Sequence, residues 1–272
     1  GTDVDAEKLK NTFYTQPAIF VTSYAIAKLF KSYGISPAAM VGHSVGEFVA
    51  AHLSGIMSLT DALTIVANRA RLISELPSGS MLSVQLSAQE VKKIIPENIS
   101  IAANNAPGLC VISGTHEAID AFAFELTRKE IQHKKLLTSH AFHSSMMDPI
   151  LKPLQAVVEN VKLQIPRIPI LSTVTGVWLN DNEATSPKYW ANHARATVNF
   201  SEAILKIEED LHPLFVEAGP GTTATILAKR HGARIVSKAF NAIDSKIKTD
   251  EEFASIKKLL GRLWQNGIEI DM

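Results

Sequence analysis

The 272-residue chain holds a single cysteine, carries no excess charge of either sign and contains no run of eighteen uninterrupted apolar residues. One cysteine, Cys110, excludes an internal disulfide, and no Cys/His cluster has the spacing of a zinc site; a reducing, cytoplasmic setting is expected, with no metal. Lys and Arg number 27, as do Asp and Glu. That balance leaves no global field to draw in nucleic acid or an anionic membrane, and neither is expected as a partner. The missing apolar run excludes a membrane-spanning helix, and the polar, acidic opening Gly1-Thr2-Asp3-Val4-Asp5 is not that of a secretory precursor. With 46% hydrophobic residues, 14 Gly and 12 Pro, the composition is neither disordered nor collagen-like. The length allows one large domain or two unequal lobes.

Strand and helix signals alternate along the chain. Pro17, suited to a first helical position, opens an apolar stretch from Ala18 to Phe30 that predicts a buried helix ending at Gly34. A short apolar strand at 38–41 then meets Gly42-His43-Ser44-Val45-Gly46 and a helix over 47–53. A further helix is expected behind Thr60, with Leu63, Val66, Ala67, Ala70 and Ile73 on one stripe. From 80 to 137 the rhythm reads βαββαβ, a ferredoxin-like order, inserted into the surrounding segments. The expectation is an α/β protein: a large α/β-hydrolase-like lobe (1–78 and 139–272) with a mainly parallel sheet, and a small lobe over 79–138. Later elements are expected as helix 146–161, strand 168–173, helix 201–209, strand 214–217, strand 235–237 and helix 250–265.

Gly-x-Ser-x-Gly between a strand and a helix is the pattern of a nucleophile elbow, a strained turn that lifts the Ser44 hydroxyl clear of the sheet. A serine is a weak nucleophile at neutral pH and needs a base. Of nine histidines, His140 and His143 in His140-Ala141-Phe142-His143 sit where the chain re-enters the large lobe, a usual place for a cleft; spacing alone leaves either as the base. Arg69 falls between stripe residues of the Thr60 helix, so its guanidinium points along or into the protein and wants a carboxylate. The residues alone favour an internal salt bridge to a protein acid.

Gln16-Pro17-Ala18, Gly42-His43-Ser44-Val45-Gly46-Glu47, Arg69, His140-Ala141-Phe142-His143 and Glu217-Ala218-Gly219-Pro220-Gly221 occur in an order that resembles acyl-CoA:acyl-carrier-protein acyltransferases, above all the acyltransferase domains of modular polyketide synthases. The similarity runs from about Leu9 to His231. It implies transfer of a malonyl unit from malonyl-CoA, through a serine ester, to the phosphopantetheine thiol of an acyl carrier protein among flanking synthase domains. Neither a metal nor a redox cofactor is implied. Ser44 would be the acylated nucleophile and His143 its base, while Arg69 would grip the free carboxylate. Gln16, His43 and Phe142 would line the substrate site, and the backbone N–H of Val45 would steady the oxyanion. A backbone carbonyl replaces the usual aspartate, and the matching position is His193. Phe142 and the aliphatic Val45 point to malonyl over methylmalonyl, because the Phe142 ring occupies the space of a C2 methyl. No Gly-Gln-Gly occurs, although the resembling domains begin with one that supplies a second oxyanion donor; the chain is therefore expected to be a fragment.

Two other readings use the same residues. A serine hydrolase or thioesterase would need an acid and then a histidine after Ser44, for which Asp181 with His212 or His231 could be offered. An idle scaffold or carrier-docking domain would need no chemistry at all. Cys110, Trp178, Trp190 and Trp264 read as structural, and Lys92-Lys93 and Lys134-Lys135 as solvated charges.

Overall fold

The computed structural model describes residues 8–243 and 252–271. Helix α1 (Thr12–Ser32) starts earlier than Pro17 predicts, because the Asn11 side chain accepts the Phe13 N–H at 2.9 Å and caps it; Pro17 lies inside the helix. After β1 (Met40–Val41) and a tight turn come α2 (Gly46–Ser54) and α3 (Leu59–Ser74). The cap of α3 is Ser58, whose hydroxyl accepts the Asp61 N–H at 3.1 Å; Thr60 is within the helix. Ala62, Ile65, Val66, Ala70 and Ile73 are buried on its inner face, and Arg69 with them.

The inserted segment folds as β2 (Ser80–Val84), α4 (Ala88–Lys92), β3 (Ser100–Ala106), β4 (Leu109–Gly114), α5 (His116–Arg128) and β5 (His133–Lys135). The strands lie side by side as β5–β2–β4–β3, each neighbour antiparallel. Alternation along β4 explains its unbroken apolar sequence. Cys110 and Ile112 face Val91, Ile119 and Phe122 of the two helices, whereas Leu109 and Val111 face the other lobe. Cys110 is fully buried, and that burial pushes its thiol up to about 12, which leaves it an inert core residue.

The chain then returns through a 3-10 turn (Ser145–Met147) to α6 (Asp148–Glu159), β6 (Ile170–Leu171), α7 (Asp181–Ala184), α8 (Pro187–Asn192), β7 (Val198–Asn199), α9 (Phe200–Leu211), β8 (Phe215–Glu217), α10 (Thr223–Lys229), α11 (Ala233–Lys238), β9 (Ala239–Asn241) and α12 (Glu252–Gln265). The expected start of the last helix, Asp250, lies outside the described residues. The strand predicted at 235–237 is helical instead. Gly232 at φ 129° breaks the chain after α10, one turn follows that buries Ile235 and exposes Val236, and the strand comes after it. In this lobe the sheet is parallel but fragmentary: β1 pairs with β6 and β8 with β9. β7 pairs parallel with β3 through Ala103–Val198 and Asn104–Asn199. The small-lobe sheet therefore continues into the chain segment that follows α8, and this join positions the site. Among the described residues no helix is long and apolar enough to cross a membrane.

Candidate active site

Ser44 stands at the β1–α2 turn with φ 50°, in the left-handed region that ordinary side chains avoid. The two glycines that flank it are not equivalent. A Cβ on Gly42 would lie 2.1 Å from the backbone N of Glu47, so the turn closes only around glycine; a Cβ on Gly46 meets nothing within 4 Å. Gly42→Ala is accordingly expected to lose more than ~4 kcal/mol of stability, and Gly46→Ala to stay within ~1 kcal/mol of the parent, as read from denaturant midpoints. Equal midpoints for the two would overturn this reading of the turn.

The Ser44 hydroxyl donates to His143 Nε2 at 2.8 Å, and His143 Nδ1–H donates to a backbone carbonyl, also at 2.8 Å. That carbonyl belongs to Ala196, not to His193. The turn that ends α8 runs on through Ala194, Arg195 and Ala196, whose N–H groups bond back to Ala191 and Asn192; the chain leaves it at Ala196, just before β7, and there its carbonyl is free to face the imidazole. A carbonyl can only accept, so it fixes the proton on Nδ1 and leaves Nε2 free to accept from Ser44. His143 is itself at φ 56°, so both members of the pair sit on strained backbone. Burial first, then the charge of Arg69 and the neighbouring His193 and His43, hold its imidazole well below its usual value of 6.5. His140 is engaged elsewhere, with Leu76 O at 3.2 Å and Ser139 Oγ at 2.8 Å. Of the two histidines that spacing leaves equal, His143 is the one hydrogen-bonded to Ser44.

Arg69 is 1% exposed and has no acidic partner among the described residues, contrary to the internal salt bridge that its stripe position favours. Nη1 donates to Gln16 Oε1, Nη2 lies 3.4 Å from Ser44 Oγ, and Nε has no partner. Burial lowers the guanidinium to about 10, still cationic at neutral pH. Gln16 is held in turn by donating to Thr12 Oγ1 at 2.7 Å. The elbow N–H of Val45 heads α2 and has no protein acceptor among the described residues, which suits it to a developing anion.

His43 Nε2 meets Asn105 Oδ1 of β3 at 2.8 Å and its ring packs on Phe200, so it spans the two lobes; burial lowers its pKa more than that hydrogen bond raises it. Phe142 is half-buried and packs against the core around α2 and α3 and against the apolar cluster between β3–β4 and α9–α11, while its carbonyl accepts the Ser113 hydroxyl at 2.8 Å. A groove of about 750 Å³ follows the same seam past Asn104, Arg195, Thr197 and Asn199. It holds neither Ser44 nor His143, but Asn104 and Thr197 are chain neighbours of Asn105 and Ala196, which hold His43 and His143.

The residues of a hydrolase triad do not assemble. His231 bonds Ser201 Oγ at 2.9 Å, His212 is largely exposed beyond α9, and Asp181 opens α7. Glu217 caps α10, accepting the Thr225 N–H at 2.7 Å. One buried group with no role in the sequence reading lies directly behind the elbow: Glu47, fully enclosed, accepts from Thr173 and Tyr189, with His193 Nε2 3.5 Å away.

The sequence model of the acyl transferase domain family matches residues 2–250. One of the subunits of the phenolphthiocerol/phthiocerol polyketide synthase of Mycobacterium tuberculosis is 33% identical over 272 residues, which is all of this chain and 18% of that protein. The acyl transferase domain of ZmaA superposes with a TM-score of 0.89 at 37% identity, over 97% of this chain and 62% of that one. The malonyl CoA-acyl carrier protein transacylase of Clostridium perfringens superposes at 0.85 with 25% identity, over 96% of this chain and 83% of that one.

Proposed function

Since this chain belongs to the acyl transferase domain family, we propose that it moves a malonyl unit from malonyl-CoA, by way of a Ser44 ester, to the phosphopantetheine thiol of an acyl carrier protein during polyketide assembly. The observation that carries the malonyl reading is the buried, acid-free guanidinium of Arg69 beside the Ser44 hydroxyl. A cation so buried has little access to water and no acidic partner among the described residues, and an acyl group that ends in a carboxylate supplies one.

In the first half-reaction Ser44 Oγ attacks the thioester carbonyl as His143 Nε2 takes its proton; the Val45 N–H steadies the oxyanion, and the thiolate of CoA leaves with that proton. In the second, His143 takes the proton of the carrier thiol, the sulfur attacks the serine ester, and Ser44 is regenerated. Neither half calls for a metal or a redox cofactor. The seam groove offers an approach for the phosphopantetheine arm, and flanking synthase domains would bring the carrier to it. A cytoplasmic setting suits these substrates.

Incubation with equimolar malonyl-CoA and methylmalonyl-CoA, followed by intact and peptide mass measurement, tests this reading. A malonyl adduct on Ser44 is expected, absent in Ser44→Ala, with methylmalonyl disfavoured by about 10–200-fold for the one methyl that Phe142 excludes. No adduct from either thioester would overturn the function; equal adducts would overturn the role of Phe142.

The depressed His143 pKa adds a prediction with a definite sign. The base works deprotonated, so kcat/KM is expected to stay flat as pH falls through 6.5 and to decline only below it. An acid limb at or above 6.5 in the pH profile would contradict the buried, cation-flanked geometry.

A further inference from the structure

We propose that Glu47 is a positioning residue that ties the Ser44 turn to the backbone segment carrying the Ala196 carbonyl, so that one buried carboxylate sets the nucleophile–base distance. This rests on Ser44 being activated by His143 as argued above, though not on the identity of the acyl group.

The connections run both ways from Glu47. Its own N–H bonds the Ser44 carbonyl at 2.9 Å, which joins it to the nucleophile within the first turn of α2. Its carboxylate accepts the Thr173 N–H at 2.9 Å, the Thr173 hydroxyl at 2.5 Å and the Tyr189 hydroxyl, while His193 Nε2 lies 3.5 Å away. Tyr189 in turn receives the Ser172 hydroxyl at 2.6 Å. The segment 193–199 is thus held at both ends. His193 faces Glu47 directly, and at the far end Asn199 N–H bonds the Thr173 carbonyl at 2.6 Å while its side chain bonds Val174 O at 2.8 Å. Ala196, whose carbonyl orients His143, lies between these two anchors.

Only an acceptor-only group fits this position. Several donors converge on two oxygens, and an ionised carboxylate has the lone pairs to take them; an amide would turn a donor toward donors. Burial alone opposes the charge, but His193 and the hydrogen bonds from Thr173 and Tyr189 outweigh it and keep Glu47 below the usual carboxylate range. In a serine–histidine–aspartate triad the acid touches the imidazole; here a carbonyl does so, and the acid holds the chain that presents the carbonyl.

The test is the rate at which a fluorophosphonate labels Ser44, which reports the dyad without any acyl-CoA recognition, at a temperature where circular dichroism shows every variant fully folded. Glu47→Gln is expected to label on the order of 10–100-fold more slowly, and with malonyl-CoA to lose kcat while KM stays within about threefold. Should Glu47→Gln not fold, Tyr189→Phe and Thr173→Val each remove one hydroxyl donated to Glu47, together with that hydroxyl's second bond to Ser172 or to the Gly42 carbonyl, and are expected to slow labelling about 3–10-fold. Labelling of the folded variants at the parent rate would overturn the proposal, as would a loss in KM alone. A parent chain that labels with fluorophosphonate but takes no malonyl group would overturn the proposed function and leave this inference standing.

Discussion

A His143→Ala chain is expected to form the acyl-serine about 10²–10⁴-fold more slowly than the parent, the range that a positioned general base supplies. The reason lies in a two-bond line: the Ser44 hydroxyl at 2.8 Å from Nε2, and Nδ1 at 2.8 Å from the Ala196 carbonyl. Without the imidazole the serine keeps its proton, and among the described residues the other side chain that hydrogen-bonds its oxygen is Arg69, a donor that cannot accept it. Binding of malonyl-CoA should change little, since the proposed carboxylate contact is intact, so the loss should fall on the rate at saturation and not on KM. Rapid-quench mass measurement of the Ser44 adduct checks this, with Ser44→Ala as the zero. A rate within tenfold of the parent would show that another group carries the proton.

The elbow was legible because its requirements are local. The β1–α2 turn needs a glycine at 42, a small reactive residue at 44 and a helix directly after, and each leaves a mark in the sequence. The position of Arg69 was legible in part: the stripe read as Leu63, Val66, Ala67, Ala70 and Ile73 leaves it between apolar residues, whereas the buried face is Ala62, Ile65, Val66, Arg69, Ala70 and Ile73, with Ala67 exposed. What it meets there was not, because a guanidinium without an acid is the exception among buried charges. The groups that orient His143 left almost no signal. Any residue has a carbonyl, so nothing in the side chain of Ala196 marks it out, and a turn running on past Asn192 to Ala196 shifts the acceptor from 193 to 196. Glu47 reads as an ordinary acidic residue in a first helical turn, where exposure is usual; only the fold brings Thr173, Tyr189 and His193 around it. The same holds for β7. Two residues pairing with a strand almost a hundred positions earlier carry no period of their own, and so the sheet runs past the segment that the βαββαβ rhythm marks off.

Arg69→Ala should lower kcat/KM for malonyl-CoA by about 10²–10³-fold, corresponding to the roughly 3–4 kcal/mol lost when one partner of a buried charge pair is removed. Acetyl-CoA, which has no carboxylate to offer, should be used about as well by the variant as by the parent, so that the preference between the two thioesters collapses. Arg69→Lys is not a conservative replacement: it keeps the charge and gives up the planar fork that grips a carboxylate while bonding Gln16. The same site makes an independent claim about stability. The guanidinium is 1% exposed, has no acidic partner among the described residues and leaves Nε without a hydrogen bond there. An apolar side chain of similar length removes that burden, so Arg69→Met is expected to raise Tm while it abolishes discrimination for malonyl-CoA. A fall in Tm would mean that Arg69 is satisfied within the fold, and the argument that it waits for the substrate's carboxylate would fail with it.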